Sequence, residues 1–167
     1  QKEIFEQPQS IRDTLESRIT KDNVVVSAFG HKAKEVFNKI KQVQIVACGT
    51  SFNAGLGAKY WLEDIAKIPC NVEVASEYRY RHPIILDRTL FITISQSGET
   101  ADTLEALKTA KEINNNIDTL CICNSAESSI TRESDFTLLT HAGPEIGVAS
   151  TKAFTTQLVA LALLTCS

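Results

Sequence analysis

Leu90-Phe91-Ile92-Thr93-Ile94-Ser95-Gln96-Ser97-Gly98-Glu99-Thr100 is a short apolar, β-branched run that ends in a turn of hydroxyl side chains and glycine, after which a helical pattern opens. Such a run reads as a strand buried on both faces, the kind that builds parallel sheets. Val43-Gln44-Ile45-Val46-Ala47 repeats the arrangement and breaks at Cys48-Gly49-Thr50-Ser51. A helix that starts directly after a buried strand aims unpaired N–H groups and the positive end of its macrodipole beyond the strand end. The chain therefore makes a phosphate-type anion cradle twice.

Outward from these two runs the pattern alternates. Strands are predicted at 43–47, 71–75, 90–95, 119–123 and 136–139, and helices at 51–66, 99–113, near 127–133 and at 152–165. That rhythm predicts an α/β fold, a three-layer αβα sandwich around a doubly wound five-stranded parallel sheet of the flavodoxin/Rossmann-like kind. Ligands of such sheets bind outside the carboxyl ends of the strands, where both turns lie. A third loop, Thr140 to Lys152, also leaves a strand end and is shaped by Gly143-Pro144 and Gly147. Before the first strand, Pro8 suits the first turn of a packing helix through Ile11, Leu15 and Ile19. A second helix over 32–40 brings Val36, Phe37 and Ile40 to one face.

The chain has 167 residues, 43% hydrophobic and 22% charged, with net charge −3. This is one domain, 1–167, with the N-terminal helices of 1–40 packed on it, and it lacks the basic excess of a nucleic-acid binder. No stretch is long enough to span a bilayer and no leader pattern opens the chain, so no membrane association and a cytoplasmic location are expected. The five cysteines, Cys48, Cys70, Cys121, Cys123 and Cys166, give neither a disulfide framework nor metal-ligand spacing. Cys121 and Cys123 face one side of a strand as core residues, and no metal is expected. His31, His82 and His141 are too dispersed for a cluster. Tyr78-Arg79-Tyr80-Arg81 reads as a packed edge or interface rather than a nucleic-acid patch.

An ordinary N-cap needs one serine or threonine, whereas four potential donor side chains and a glycine crowd the turn at 95–100. Charge-assisted hydrogen bonds of about 1.5–3 kcal/mol each would let four or five of them supply the roughly 8 kcal/mol of a micromolar ligand. A dinucleotide fingerprint fits poorly, because Ser51 and Phe52 stand where close approach of a pyrophosphate wants glycine. No cofactor is expected. Cys48 has no base near it in sequence and reads as packing rather than a nucleophile.

At these residues the chain resembles the sugar isomerase (SIS) domain family of phosphosugar-binding modules. More closely, Cys48–Ser51, Ile68 through Arg81, Ser95–Thr103 and His141–Thr155, with Lys2-Glu3-Ile4 and Glu6-Gln7-Pro8, are similar to the first SIS half of the isomerizing glutamine–fructose-6-phosphate aminotransferase family. The resemblance implies that Ser51, Ser95, Gln96, Ser97 and Thr100 bind the sugar phosphate, that Thr50 lies against the sugar, and that Val148 and Ser150 contact its hydroxyls. It implies fructose 6-phosphate and glucosamine 6-phosphate as ligands, amino-sugar synthesis as the function, and a homodimer. The family's glutaminase domain, second SIS module and Schiff-base lysine tail have no counterpart in these residues, so no catalytic residue is expected here and the chain is expected to be catalytically incomplete. Lys152 belongs to the third loop and is not that lysine. A phosphosugar-sensing regulatory module is the alternative.

Overall fold

The computed structural model describes residues 2–147 and 149–167. Its sheet contains β1 (Gln42–Ala47), β2 (Cys70–Val74), β3 (Thr89–Ser95), β4 (Asp118–Cys123) and β5 (Phe136–Leu139). All neighbours are parallel, in the spatial order β2-β1-β3-β4-β5. The helices are α1 (Lys2–Leu15), α2 (Ala33–Phe37), α3 (Gly49–Asp64), α4 (Ala75–Tyr78), α5 (Ala101–Ile113), α6 (Ser129–Glu133) and α7 (Lys152–Thr165). α3 and α7, with α1 packed on α7, cover one face; α4, α5 and α6 cover the other. This is the expected three-layer doubly wound fold.

Period-2 alternation divides the strands between two cores. Leu90, Ile92 and Ile94 of β3 join Val43, Ile45 and Ala47 beneath α3 and α7. Phe91 faces Val46, Tyr78 and Leu107 on the other side, where Cys121 and Cys123 also lie. Every residue of β3 is buried, and each large apolar side chain buried there contributes about 1.5–3 kcal/mol. The central strand, buried along its whole length, is the one that carries the turn at 95–100.

Five local expectations need correction. α1 starts at Lys2 and holds Pro8 in its interior; proline gives the Ile4 carbonyl no N–H, and Gln7 Nε2 donates to that oxygen instead, at 3.0 Å. Ile19 lies beyond the helix in a bridge with Val24, because Ser17 turns the chain at φ 60°. The buried positions of α1 are Ser10 and Thr14, which face the third loop, while Leu15 is partly buried against the core as expected. α2 stops at Phe37, short of residue 40, and α5 begins at Ala101 rather than 99 because Thr100 is still extended. The arginines of the 78–81 segment are engaged at the sheet edge. Arg79 pairs with Asp102 at 2.6 Å, and Arg81 pairs with Glu73 at 2.5 Å and lies over the Tyr78 ring.

Candidate phosphosugar site

The strand order reverses between β1 and β3, which are direct neighbours with Ala47 opposite Ile94. The turns that follow them, at 48–51 and 95–100, therefore emerge side by side, about one strand spacing of 4.8 Å apart. A doubly wound sheet opens its ligand crevice at this switch point, because consecutive crossovers leave it in opposite directions.

The 95–100 turn is braced from below. Ser95, 3% exposed, accepts from Gly98 N–H at 3.0 Å and shares a 2.9 Å bond with the Thr100 hydroxyl. That pair has two protons and one mutual bond, so one proton stays available to a ligand. Ser97 is exposed and its oxygen accepts from Glu99 N–H at 3.1 Å, and its hydroxyl proton has no acceptor among the described residues. Glu99 turns away to accept from Ser129 N–H at 2.7 Å. No side chain of its N-cap residue closes α5, and the same holds for Cys48 at α3. By contrast Ser128 caps α6. The hydroxyl surplus at 95–100 is thus not consumed in capping.

In the first turn Thr50 is exposed at the mouth of α3 while Ser51 is buried, at 7% exposure. In the third loop Ser150 donates to Glu145 at 3.1 Å, and the same carboxylate accepts from Thr151 N–H at 2.7 Å and Ala153 N–H at 3.3 Å. Glu145 therefore supplies the negative charge at the α7 N-terminus, and the Ser150 oxygen keeps lone pairs. Val148 lies outside the described residues. Lys152 is buried and bonded to Glu6 at 2.7 Å, a structural cation rather than a free amine.

Asn124, not anticipated from sequence, joins the second turn to the third loop. Its N–H donates to the Gln96 carbonyl at 3.1 Å. Its side-chain oxygen accepts from Ala142 N–H at 2.7 Å and from the Thr140 hydroxyl at 3.3 Å, and its amide donates to the Gly143 carbonyl at 2.8 Å. The signal was its place directly after β4, the same strand-end position that marked the two hydroxyl turns.

From the other side α1 presents a polar stripe to this loop. Glu3 accepts from Ile146 N–H at 2.7 Å and Gly147 N–H at 3.1 Å. Glu6 meets Lys152, the Thr155 hydroxyl donates to Gln7 at 2.6 Å, Ser10 donates to the Ala142 carbonyl, and Thr14 reaches the Thr140 carbonyl. The two loop N–H groups hold the Glu3 carboxyl below the ordinary glutamate range, and Lys152 does the same to Glu6. The folded carboxylates bind protons less readily than the unfolded ones, so their contribution is complete at neutral pH and is lost as pH falls through the lowered folded values. The amide resonances of Ile146 and Gly147, followed by NMR, are expected to titrate with a midpoint below the ordinary glutamate value; a midpoint at or above it would mean that Glu3 does not hold the loop.

Comparison with known proteins agrees with this fold. The sequence pattern of the SIS domain matches residues 36–167. The chain is 64% identical over 164 residues to the glutamine–fructose-6-phosphate aminotransferase [isomerizing] of Pseudomonas putida and 56% identical to that of Francisella tularensis, in each case over 98% of this chain. It spans 27% of the length of these relatives. The C-terminal domain of glucosamine-fructose-6-phosphate aminotransferase from Francisella tularensis superposes with a TM-score of 0.93 at 55% identity, over 98% of this chain and 46% of that one. Glucosamine-6-phosphate deaminase from Thermotoga maritima superposes at 0.76 with 27% identity, over 98% and 46%.

Proposed function

The chain belongs to the SIS-domain family, and from that premise we propose that it is the phosphosugar-binding part of an isomerizing glutamine–fructose-6-phosphate aminotransferase, the enzyme that makes glucosamine 6-phosphate for amino-sugar synthesis. The observation that carries the reading is the pair of hydroxyl-rich turns on adjacent strands, each at a helix mouth that its own N-cap side chain leaves open. In this reading the phosphate sits between them. Ser97, Gln96, Thr100 and Ser51 donate to its oxygens, and Ser95 shapes the turn while offering the spare proton it shares with Thr100. Backbone N–H groups of α3 and α5 add the positive ends of two macrodipoles. Thr50 lies beside the sugar, and Val148 and Ser150 meet its hydroxyls from the third loop.

Residues 1–167 act as one SIS unit in this reading, with the segment before β1 belonging to it through the α1 stripe. Its setting in this reading is the cytoplasm; among the described residues no helix is long and apolar enough to cross a membrane. It pairs as a homodimer, for which exposed Tyr60 on α3, Ile65 just past its end and Ile84 before β3 offer apolar surface.

Calorimetric titration with fructose 6-phosphate and glucosamine 6-phosphate, with fructose and inorganic phosphate as controls, tests the assignment. Saturable binding of both phosphosugars at micromolar to millimolar concentration is expected, with weaker binding of phosphate and none of fructose. Binding of fructose as tight as that of its phosphate, or of none of the four compounds, would overturn it.

A further inference from the structure

The third loop is held at one end by Asn124 and β5 and at the other by α7, but between Gly143 and Glu145 it makes no bond to the sheet among the described residues. Its middle is fixed by α1. Glu3 alone accepts from two consecutive loop N–H groups, those of Ile146 and Gly147, which come directly before the residues read as sugar contacts. Gly147 supplies a second, independent observation: a Cβ there would stand 2.6 Å from Glu3 Oε2. The loop thus has a residue without a side chain at the point where the carboxylate approaches. The stripe Glu3, Glu6, Gln7, Ser10 and Thr14 repeats at helical spacing, which lays one face of α1 along the loop and the start of α7. A cavity of about 390 Å³ opens between Glu3, Glu6, Pro144, Ile146 and Lys152, so the loop is suspended from α1 rather than packed on a core. A suspended loop needs a fixed anchor if it is to meet a sugar in one geometry.

We propose that Glu3 is a positioning residue: its carboxylate sets the height of the third loop above the switch point and thereby governs affinity for the sugar portion of a phosphosugar, not for its phosphate. The proposal rests on the phosphosugar reading given above. Glu3 touches no ligand; it acts through the Ile146 and Gly147 amides. Both N–H groups converge on one oxygen, Glu3 Oε1, and its charge makes the anchor stronger than a neutral amide oxygen could, so Glu3→Gln should retain part of the effect and Glu3→Ala none.

Each variant of this chain is titrated with fructose 6-phosphate and, separately, with inorganic phosphate, and amide exchange is followed at Ile146, Gly147 and the β3 strand. Glu3→Ala is expected to weaken fructose 6-phosphate about tenfold, to leave phosphate affinity unchanged, and to speed exchange at the two loop amides with β3 unaffected; Glu3→Gln should fall between it and the parent. Equal weakening of both ligands, or parental affinity for fructose 6-phosphate despite faster loop exchange, would overturn the role of Glu3 while leaving the phosphosugar reading intact. A parent chain that binds neither ligand would overturn both.

Discussion

Gly98→Ala is expected to destabilise the fold by about 3 kcal/mol and to abolish the second cradle. Gly98 stands at φ +68°, where an L side chain costs about 1–2 kcal/mol. The added Cβ would lie 2.0 Å from Ser128 Oγ and 2.4 Å from Ser128 Cβ, and relieving such overpacking typically costs a further 1–3 kcal/mol. Neither atom can retreat freely. Ser128 caps α6 by accepting from Thr131 N–H, and the Gly98 carbonyl accepts from Ile130 N–H at 3.1 Å. The strain therefore spreads into the β4–α6 connection. For a chain of this length, each kcal/mol shifts the melting temperature by about 2–4 °C, so a fall of roughly 6–12 °C is expected in a thermal melt. A variant melting within about 2 °C of the parent would show that the turn can rearrange without loss.

Ser97→Ala is expected to act on binding and hardly at all on stability. Its oxygen accepts from Glu99 N–H while its proton has no acceptor among the described residues, and the side chain is exposed, where substitutions usually change stability by under about 0.5 kcal/mol. A hydrogen bond to a charged phosphate contributes about 1.5–3 kcal/mol, so calorimetric affinity for fructose 6-phosphate should drop about ten- to hundredfold. Affinity for inorganic phosphate should drop with it, which separates Ser97 from Glu3, whose loss is expected to touch the sugar alone. An alanine variant that binds fructose 6-phosphate as the parent does would defeat the cradle assignment.

The five strands and the helices that follow them were legible because their signals are local: β-branched apolar runs of five or six residues bounded by glycine and hydroxyl residues admit few other conformations. Boundaries slipped where a single residue could go either way, as at Ala75, claimed by α4 rather than β2. The N-terminal segment is legible only in part. Of Ile11, Leu15 and Ile19, Leu15 packs against the core while Ile19 lies beyond the helix, and the polar stripe Glu3, Glu6, Gln7, Ser10 and Thr14 that meets the third loop and the start of α7 has no counterpart in the apolar spacing. Asn124 stands at a strand end, but an asparagine there is common and its four bonds go to residues distant in sequence.

By itself, then, the sequence determined the parallel α/β architecture, the hydroxyl-rich turns at the ends of β1 and β3, and the glycine that the second turn requires, all of them consequences of side-chain periodicity and backbone sterics within a dozen residues. Only the tertiary structure decided that β1 and β3 are neighbours, which brings the two turns together at the switch point. It alone decided that α1 reaches a loop 143 positions away through Glu3, because complementarity between a carboxylate and two distant amides leaves no mark on either segment read alone.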